Sequence, residues 1–301
     1  MKKSQILKGI CIAVLILLIT AGGNAQKTKP WMWVKREEGM KREAAFDKKY
    51  DRIVNNAHIT PEKMIWYPGF FDMLDFFEKS YNKNYAFLRV YIALYPKETD
   101  DANVPAGWGK KLTLIFAPAD INKRDLGVYF NMVPGEGFVA GKNQITKDQK
   151  KFWTTLYTQT VMPSLLSTID QFDLDNYTQD GVFSDTRSLR FSRTNLKEIA
   201  NERTRHVHRR NGNPDDISGV KAFFAAYTDE GNQERFGKYP NRLHIEFEFT
   251  NKTGDIIYLD DDMKDQFPTG KHPFPDDDED EKKARILSVN NGQLCPANCP
   301  K

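Results

Sequence analysis

The sequence predicts an α+β fold: two related three-stranded antiparallel units, helices packed on one face, and the strands joined in one continuous sheet. Three observations point there. Residues 85–96, YAFLRVYIALYP, are echoed by residues 219–230, GVKAFFAAYTDE. The segments after each copy are echoed too, KKLTLIFAPAD (110–120) and DLGVYF (125–130) by NRLHIEFEF (241–249) and GDIIYL (254–259). The spacings agree: Tyr95 to Leu112 is 17 residues and Tyr227 to Leu243 is 16, while Leu112 to Tyr129 is 17 and Leu243 to Tyr258 is 15. Self-similarity of this kind dictates architecture before any finer feature does. The third observation is composition, since these segments are rich in the β-branched and aromatic residues that suit a buried pleated surface. Three strands alone cannot hide an apolar face, so the units are expected to share one domain over residues 26–262. Within it the strand units occupy about 85–133 and 218–259, with a helical connector over 146–210.

The start of the chain stands apart from that domain. Lys2, Lys3 and Lys8 precede an apolar run of 12 residues (10–21), and Gly23-Asn24-Ala25 follows as a small-x-small site. That is the pattern of a signal peptide over residues 1–25, giving a mature N-terminus at Gln26 and an exported product, in the periplasm, at the cell surface or outside the cell. A membrane span needs about 20 apolar residues, so no transmembrane span is expected in the mature chain. Cys11 lies inside the run and not at the cleavage point, which argues against a lipid anchor. Three of the 44 Lys and Arg precede Gln26, leaving 41 against 41 Asp and Glu. The mature chain is formally neutral, and no nucleic-acid partner is expected. Cys295 and Cys299 are the cysteines that remain, placed to close a small terminal disulfide in an oxidising compartment.

Further on, Phe46, Tyr50, Ile53, Val54 and Ala57 form one stripe of a helix from residue 38 to about 57. Thr60-Pro61 reads as the N-cap and first position of a second helix. Pro68-Gly69 interrupts it, and residues 70–80 resume with Phe70, Met73, Leu74 and Phe77 on one face, a stripe that suits core packing better than a ligand pocket. After the first strand pair's polar loop (97–110, with Pro105 and Gly107), Pro134-Gly135 closes the unit. Residues 148–170 are helical, with Pro163 beginning a second helix or kinking the first. Residues 171–185 form an acidic turn region, 194–210 a charged helix, and 251–254 (NKTG) a tight hairpin turn. The region 263–301 is an acidic, Pro-rich tail. Eight Lys or Arg fall in 187–210 and acids crowd 255–281, so these segments suit each other as well as any external partner.

Candidate chemistry is sparse. Gly135, Gly137, Ala140, Gly141 and Lys142 imitate a phosphate loop, but Glu136 stands where a P-loop needs its first Gly and Asn143 where it needs Ser or Thr. His206 and His208 would share a face of a strand but diverge on the predicted helix, where Glu198, Glu202 and His206 line up among arginines. Asn176, Thr178, Asp180 and Gly181 resemble the start of a calcium loop whose closing position is Arg187 and not Glu. Calcium could also meet Asp260, Asp261 and Asp262 or the acids of 276–281, although such runs mainly solubilise. No nucleophile motif of the G-x-S-x-G or H-E-x-x-H kind occurs, which weighs against an enzyme without closing the question. Two carboxylates brought together by the fold would still suffice for hydrolysis.

The C-terminal Leu294-Cys295-Pro296-Ala297-Asn298-Cys299, with the strands VYIALYP and LTLIFAP, resembles exported proteins of Bacteroidetes-type bacteria that end in a Leu-Cys-Pro-Pro-x-Cys-like tail. Ala297 stands at the second Pro. The resemblance covers the first strand unit and the last ten residues, and it implies export without implying an activity. The expectation for function is an exported, non-catalytic binding or interaction protein of the cell envelope. The alternatives are a periplasmic hydrolase with a carboxylate-based site and a calcium-stabilised structural protein. No catalytic or cofactor-binding residue is assigned, and the partner is open. The loops at 97–110 and 134–145, where the two units differ, are the expected places for a site.

Overall fold

A computed structural model describes residues 36–60, 62–166, 188–209, 217–226 and 243–257 of the chain. Helix α1 (Arg36–Ala57) buries Phe46, Tyr50 and Ile53, the stripe expected of it. It is followed by strand β1 (Met64–Tyr67), helix α2 (Phe70–Tyr81) and the long hairpin of β2 (Phe87–Leu94) and β3 (Leu112–Ala119). Two short strands, β4 (Tyr129–Phe130) and β5 (Gln144–Ile145), flank a single helical turn, α3 (Ala140–Asn143). Helix α4 (Lys147–Leu156) runs through a π turn (Tyr157–Val161) into α5 (Met162–Leu166). Then come β6 (Ser188–Ser192), α6 (Arg193–Arg209), β7 (Gly219–Ala226) and β8 (Leu243–Thr250).

The fold is α+β and its sheets are antiparallel, but the strands form two sheets and not the single one expected. One has the order β1-β7-β8 and the other β5-β4-β3-β2-β6. The reason lies in which edges are taken. In each unit the first long strand is paired on both sides, β2 by β3 and β6, β7 by β8 and β1. Neither β2 nor β7 keeps a free edge through which the units could merge.

The two hairpins have the same layout. Each is a ladder of eight pairs, from Leu94↔Leu112 to Phe87↔Ala119 and from Ala226↔Leu243 to Gly219↔Thr250. Each returns through a turn closed by one bridge, Ala119↔Asp125 or Thr250↔Ile256. In the second, Asn251 receives the backbone N–H groups of Thr253 and Asp255, and Gly254 takes a φ of 84°, so NKTG forms a tight turn as expected.

The flanking strands are exchanged. β1 precedes the first hairpin yet pairs with the second, and β6 precedes the second yet pairs with the first. Between the sheets lies the main core, where Phe70 and Phe71 of α2 meet Phe247 and Phe249 of β8, and Phe77 meets Phe130 of β4. Leu196 and Ile199 of α6 join the same core. The Phe stripe of α2 is therefore packing, as its spacing suggested.

Helices are not confined to one face. Trp153 of α4 packs in a second cluster with Ala93, Tyr95, Ile115 and Ala117, on the face of the five-stranded sheet turned away from the main core. Four residues on, Tyr157 returns to the main core, as Val161 does after it. α1 has the same spacing: Gly39 and Arg42 reach Glu246, while Phe46 and Tyr50 enter the main core.

Two segments were expected otherwise. The helix placed at Thr60-Pro61 is absent from residues 62–67, where β1 pairs with β7 and the Thr60 amide donates to the Lys110 carbonyl at 2.9 Å. Met64-Ile-Trp-Tyr67 is strand composition, and sheet pairing outweighs a local capping signal. The connector expected to be helical over 146–210 is helical in α4, α5 and α6 but includes strand β6 (Ser188–Ser192), which pairs with β2, because SLRF is strand composition that meets a free sheet edge. Its irregularity, the π turn, precedes α5, whose second residue is Pro163. Proline offers no N–H, and widening the preceding turn to i→i+5 bonding accommodates that loss. The stretches read from sequence as an acidic turn region (171–185), a signal peptide (1–25) and a tail (from 263) lie outside the described residues.

Candidate functional site

The loops expected to carry a site are largely structural. In the first, Asp101 accepts the Trp153 indole N–H at 3.0 Å and Val104 packs in the second cluster. Burial works to raise the Asp101 carboxyl, but hydrogen bonds from the Asn103 amide and side chain, Trp153 and Gln149 hold it below the ordinary aspartate range. In the second loop, Gly135 donates to the Trp66 carbonyl at 2.9 Å and takes a φ of 79°, and Phe138 packs on Phe76 and Phe130. The phosphate-loop imitation ends in a helix of four residues, Lys142 pairs with Glu136, and Asn143 is buried, accepting the Val139 N–H at 2.7 Å. That is a folded turn, not an anion cradle.

Other sequence candidates fall elsewhere. His206 and His208 lie within helix α6, as read, so they do not share a strand face. The calcium-loop stretch at 176–187, Asp260–Asp262, the acids of 276–281, and Cys295 and Cys299 are outside the described residues. Among the described residues no group of three or more His, Cys, Asp or Glu could hold a metal, and no helix is long and apolar enough to cross a membrane. An apolar cavity of ≈ 10 Å³ lies beside α6, lined by Phe70, Phe191, Leu196 and Ile199 among others. It is about the size of one water and no substrate site.

Where the two hairpins differ is on the faces turned away from the main core. Counting from the hairpin-end pairs, β3 places Thr113, Ile115 and Ala117 there, and β8 places His244, Glu246 and Glu248. All six are buried. His244 Nε2 lies 2.9 Å from Glu246 Oε1, and Arg42 Nη1 donates to the same oxygen at 3.5 Å. A Cβ at Gly39 would sit 3.1 Å from the other Glu246 oxygen, so a glycine there lets α1 come down onto the carboxylate. An imidazole, two carboxylates and a guanidinium thus occupy a layer that is mainly apolar on the other sheet. The sequence signal was the alternation in LHIEFEFT, read as strand but not as two buried faces.

The far face of the five-stranded sheet carries a second polar group, spread over β2, β3 and β4. Arg89 is 4% exposed; its Nη1 donates to the Tyr91 hydroxyl at 3.1 Å and lies 3.3 Å from Asp125 Oδ1, and its Nη2 donates to the Lys123 carbonyl. Tyr91 in turn donates to Asp125 Oδ2 at 2.5 Å. Lys150 of α4 holds its ammonium 3.7 Å above the Tyr91 ring centre and 5.4 Å from that of Tyr129. Burial is the first reason the Lys150 ammonium is held below the ordinary lysine value; Asp125 counters it, and the positive charges of Arg89 and Lys147 add to it. Burial likewise pushes the Tyr91 and Tyr129 hydroxyls up, with Asp125 adding to both. Arg190 of β6 stands directly opposite Arg89 in the ladder. Two cations, Arg89 and Lys150, share one near carboxylate, and Lys150, Tyr91 and Asp125 are only partly covered. This group combines partial exposure with unbalanced charge and aromatic surface.

Comparison with protein-family models, with curated proteins and with solved structures finds no match to the chain.

Proposed function

We propose that the chain is an exported, non-catalytic binding protein of the cell envelope whose ligand surface is the far face of the five-stranded sheet, around Lys150, Tyr91, Tyr129 and Arg89. The two hairpins are read as copies of one unit, and a site belongs where copies diverge. The observation that carries the reading is Lys150, which rests over two tyrosine rings at 3.7 and 5.4 Å with its charge incompletely balanced. A partly covered cation framed by aromatic rings is a ready contact for a polar ligand with a flat face. The export half of the reading rests on residues 1–25.

The test is a thermal-shift screen of the mature chain, from Gln26, against sugars, nucleotides and metal ions including calcium, paired with capture of partners from envelope extracts. A ligand that binds the folded state raises its melting temperature by mass action. The reading expects a stabilising ligand or a captured partner, without turnover. Turnover of a substrate, with neither a stabilising ligand nor a partner, would overturn it.

One observation favours a second reading, a hydrolase with a carboxylate-based site. His244 and Glu246 form a close imidazole–carboxylate pair with Glu248 two residues on along the same face, the groups that acid–base hydrolysis uses. It predicts turnover of glycoside or ester substrates by the mature chain and its loss in Glu246→Gln. No turnover across such a panel would sink it.

A further inference from the structure

We infer that the ligand presents an oxyanion group, a carboxylate, sulfate or phosphate, to Lys150 beside Arg89; this rests on the proposed reading of that face as the ligand surface. The charges argue it. Asp125 is the carboxylate nearest both cations: its Oδ1 lies 3.3 Å from Arg89 Nη1, an ion pair without a hydrogen bond, and its Oδ2 accepts the Tyr91 hydroxyl at 2.5 Å. Lys150 has no carboxylate within ion-pair distance among the described residues, and its stabilisation comes from ring faces. Arg89 reinforces the imbalance, because its Nε is buried without an acceptor while both terminal nitrogens are engaged.

The surroundings carry more cations than carboxylates, with Asp148 on α4 and Asp120 in the neighbouring turn as the acids among them. Lys147 and Lys151 lie on α4 with Lys150, and Arg124 follows Lys123 in the turn whose carbonyl receives Arg89. Two exposed apolar side chains sit in these elements, Ile121 in the turn and Phe152 on α4. Charge-assisted bonds to an oxyanion are shorter and stronger than neutral ones. An arriving anion would satisfy the Lys150 ammonium without displacing Asp125 from Arg89. The second hairpin offers no equivalent, since the α1 residue at the spacing of Lys150 is Gly39, and a glutamate stands beneath it.

The experiment titrates the full mature chain with sulfate, phosphate, acetate and glucuronate at constant ionic strength, with chloride as the reference, by calorimetry and thermal shift. At least one oxyanion is expected to bind where chloride does not, and Lys150→Gln to weaken it about tenfold or more. Lys150→Arg, which keeps the charge, is expected to restore binding, and Lys142→Gln, exposed and paired with Glu136, to leave it unchanged. Comparing sulfate and phosphate with acetate and glucuronate tells which oxyanion the site takes. Absence of oxyanion binding beyond chloride, or equal binding by Lys150→Gln, would overturn the inference. If Lys150→Gln still binds a neutral ligand from the screen as tightly as the wild type, the inference falls and the binding-protein reading stands. If the mature chain turns over a substrate elsewhere while oxyanion binding still depends on Lys150, the opposite holds.

Discussion

At the scale of single residues, the charged groups divide into those that join elements and those that decorate the surface. Glu78 of α2 receives Arg193, the first residue of α6, through Nε at 2.7 Å and through Nη2, while Arg193 Nη1 donates to the Asn82 carbonyl at 2.9 Å. The Arg193 hydrogen bonds hold the Glu78 carboxyl below its ordinary value of 4.5, against the opposing effect of burial. A depressed carboxylate contributes stability above its unfolded-state pKa and loses it as pH falls through the folded-state value. Glu78→Gln is therefore expected to be less stable than the wild type at pH 7, with the two curves converging as pH drops below about 4.5, as read by urea melts across pH. Arg42 is a different case. It is 2% exposed over a buried glutamate, and removing one partner of a buried ion pair leaves an uncompensated charge. Arg42→Met should cost about 3–5 kcal/mol in urea unfolding, against within about 0.5 kcal/mol for Lys142→Met in its exposed pair with Glu136. Little of this was legible beforehand. Period-2 alternation placed His244, Glu246 and Glu248 on a common face, but alternation ordinarily means solvent on that side. Only the approach of α1 through Gly39 and Arg42 makes the face interior, and nothing local to β8 announces that.

At the scale of elements, the long helices and strands were readable because each carries its own period. α1, α2 and α6 lie within about two residues of their expected bounds, and β2, β3, β7 and β8 coincide with the echoed segments. β1 was not readable as a strand, since four residues are too few for a period and Thr60-Pro61 imitates a helix start. The start of α4 was present as Thr146-x-x-Gln149: the Thr146 hydroxyl accepts the Gln149 N–H at 3.1 Å and the Gln149 side chain accepts the Thr146 N–H at 2.9 Å. Contacts between turns were hidden altogether. A Cβ on Gly69 would lie 2.0 Å from the Phe138 amide nitrogen, and one on Gly219 would lie 2.5 Å from Pro68 Cα. Those glycines let the 134–139 loop and β7 close on the β1–α2 turn. Gly69→Ala is expected to lose about 1–3 kcal/mol or more by chemical denaturation, since backbone atoms must give way. Gly137→Ala meets nothing within 4 Å and should stay close to wild type.

At the scale of the whole molecule, the halves of the chain are interlocked. β1 completes the sheet of the second hairpin and β6 that of the first, and Trp153, from the later half, covers the sheet built mainly by the earlier one. The echo in the sequence led to two hairpins but carried no information about these partners, because strand pairing across more than 150 residues leaves no mark in local composition. The exchange also explains why two sheets form where one was expected, and why the far faces are free to diverge into a stacked apolar layer with a cationic edge and a buried His-Glu row. The most direct measurement is to produce residues 26–145 and 146–301 separately and together, and to follow cooperative unfolding by circular dichroism. Interlocking predicts that neither half alone unfolds cooperatively, and that mixing them yields a one-to-one complex that does. A half that folds by itself with a sharp transition would contradict it.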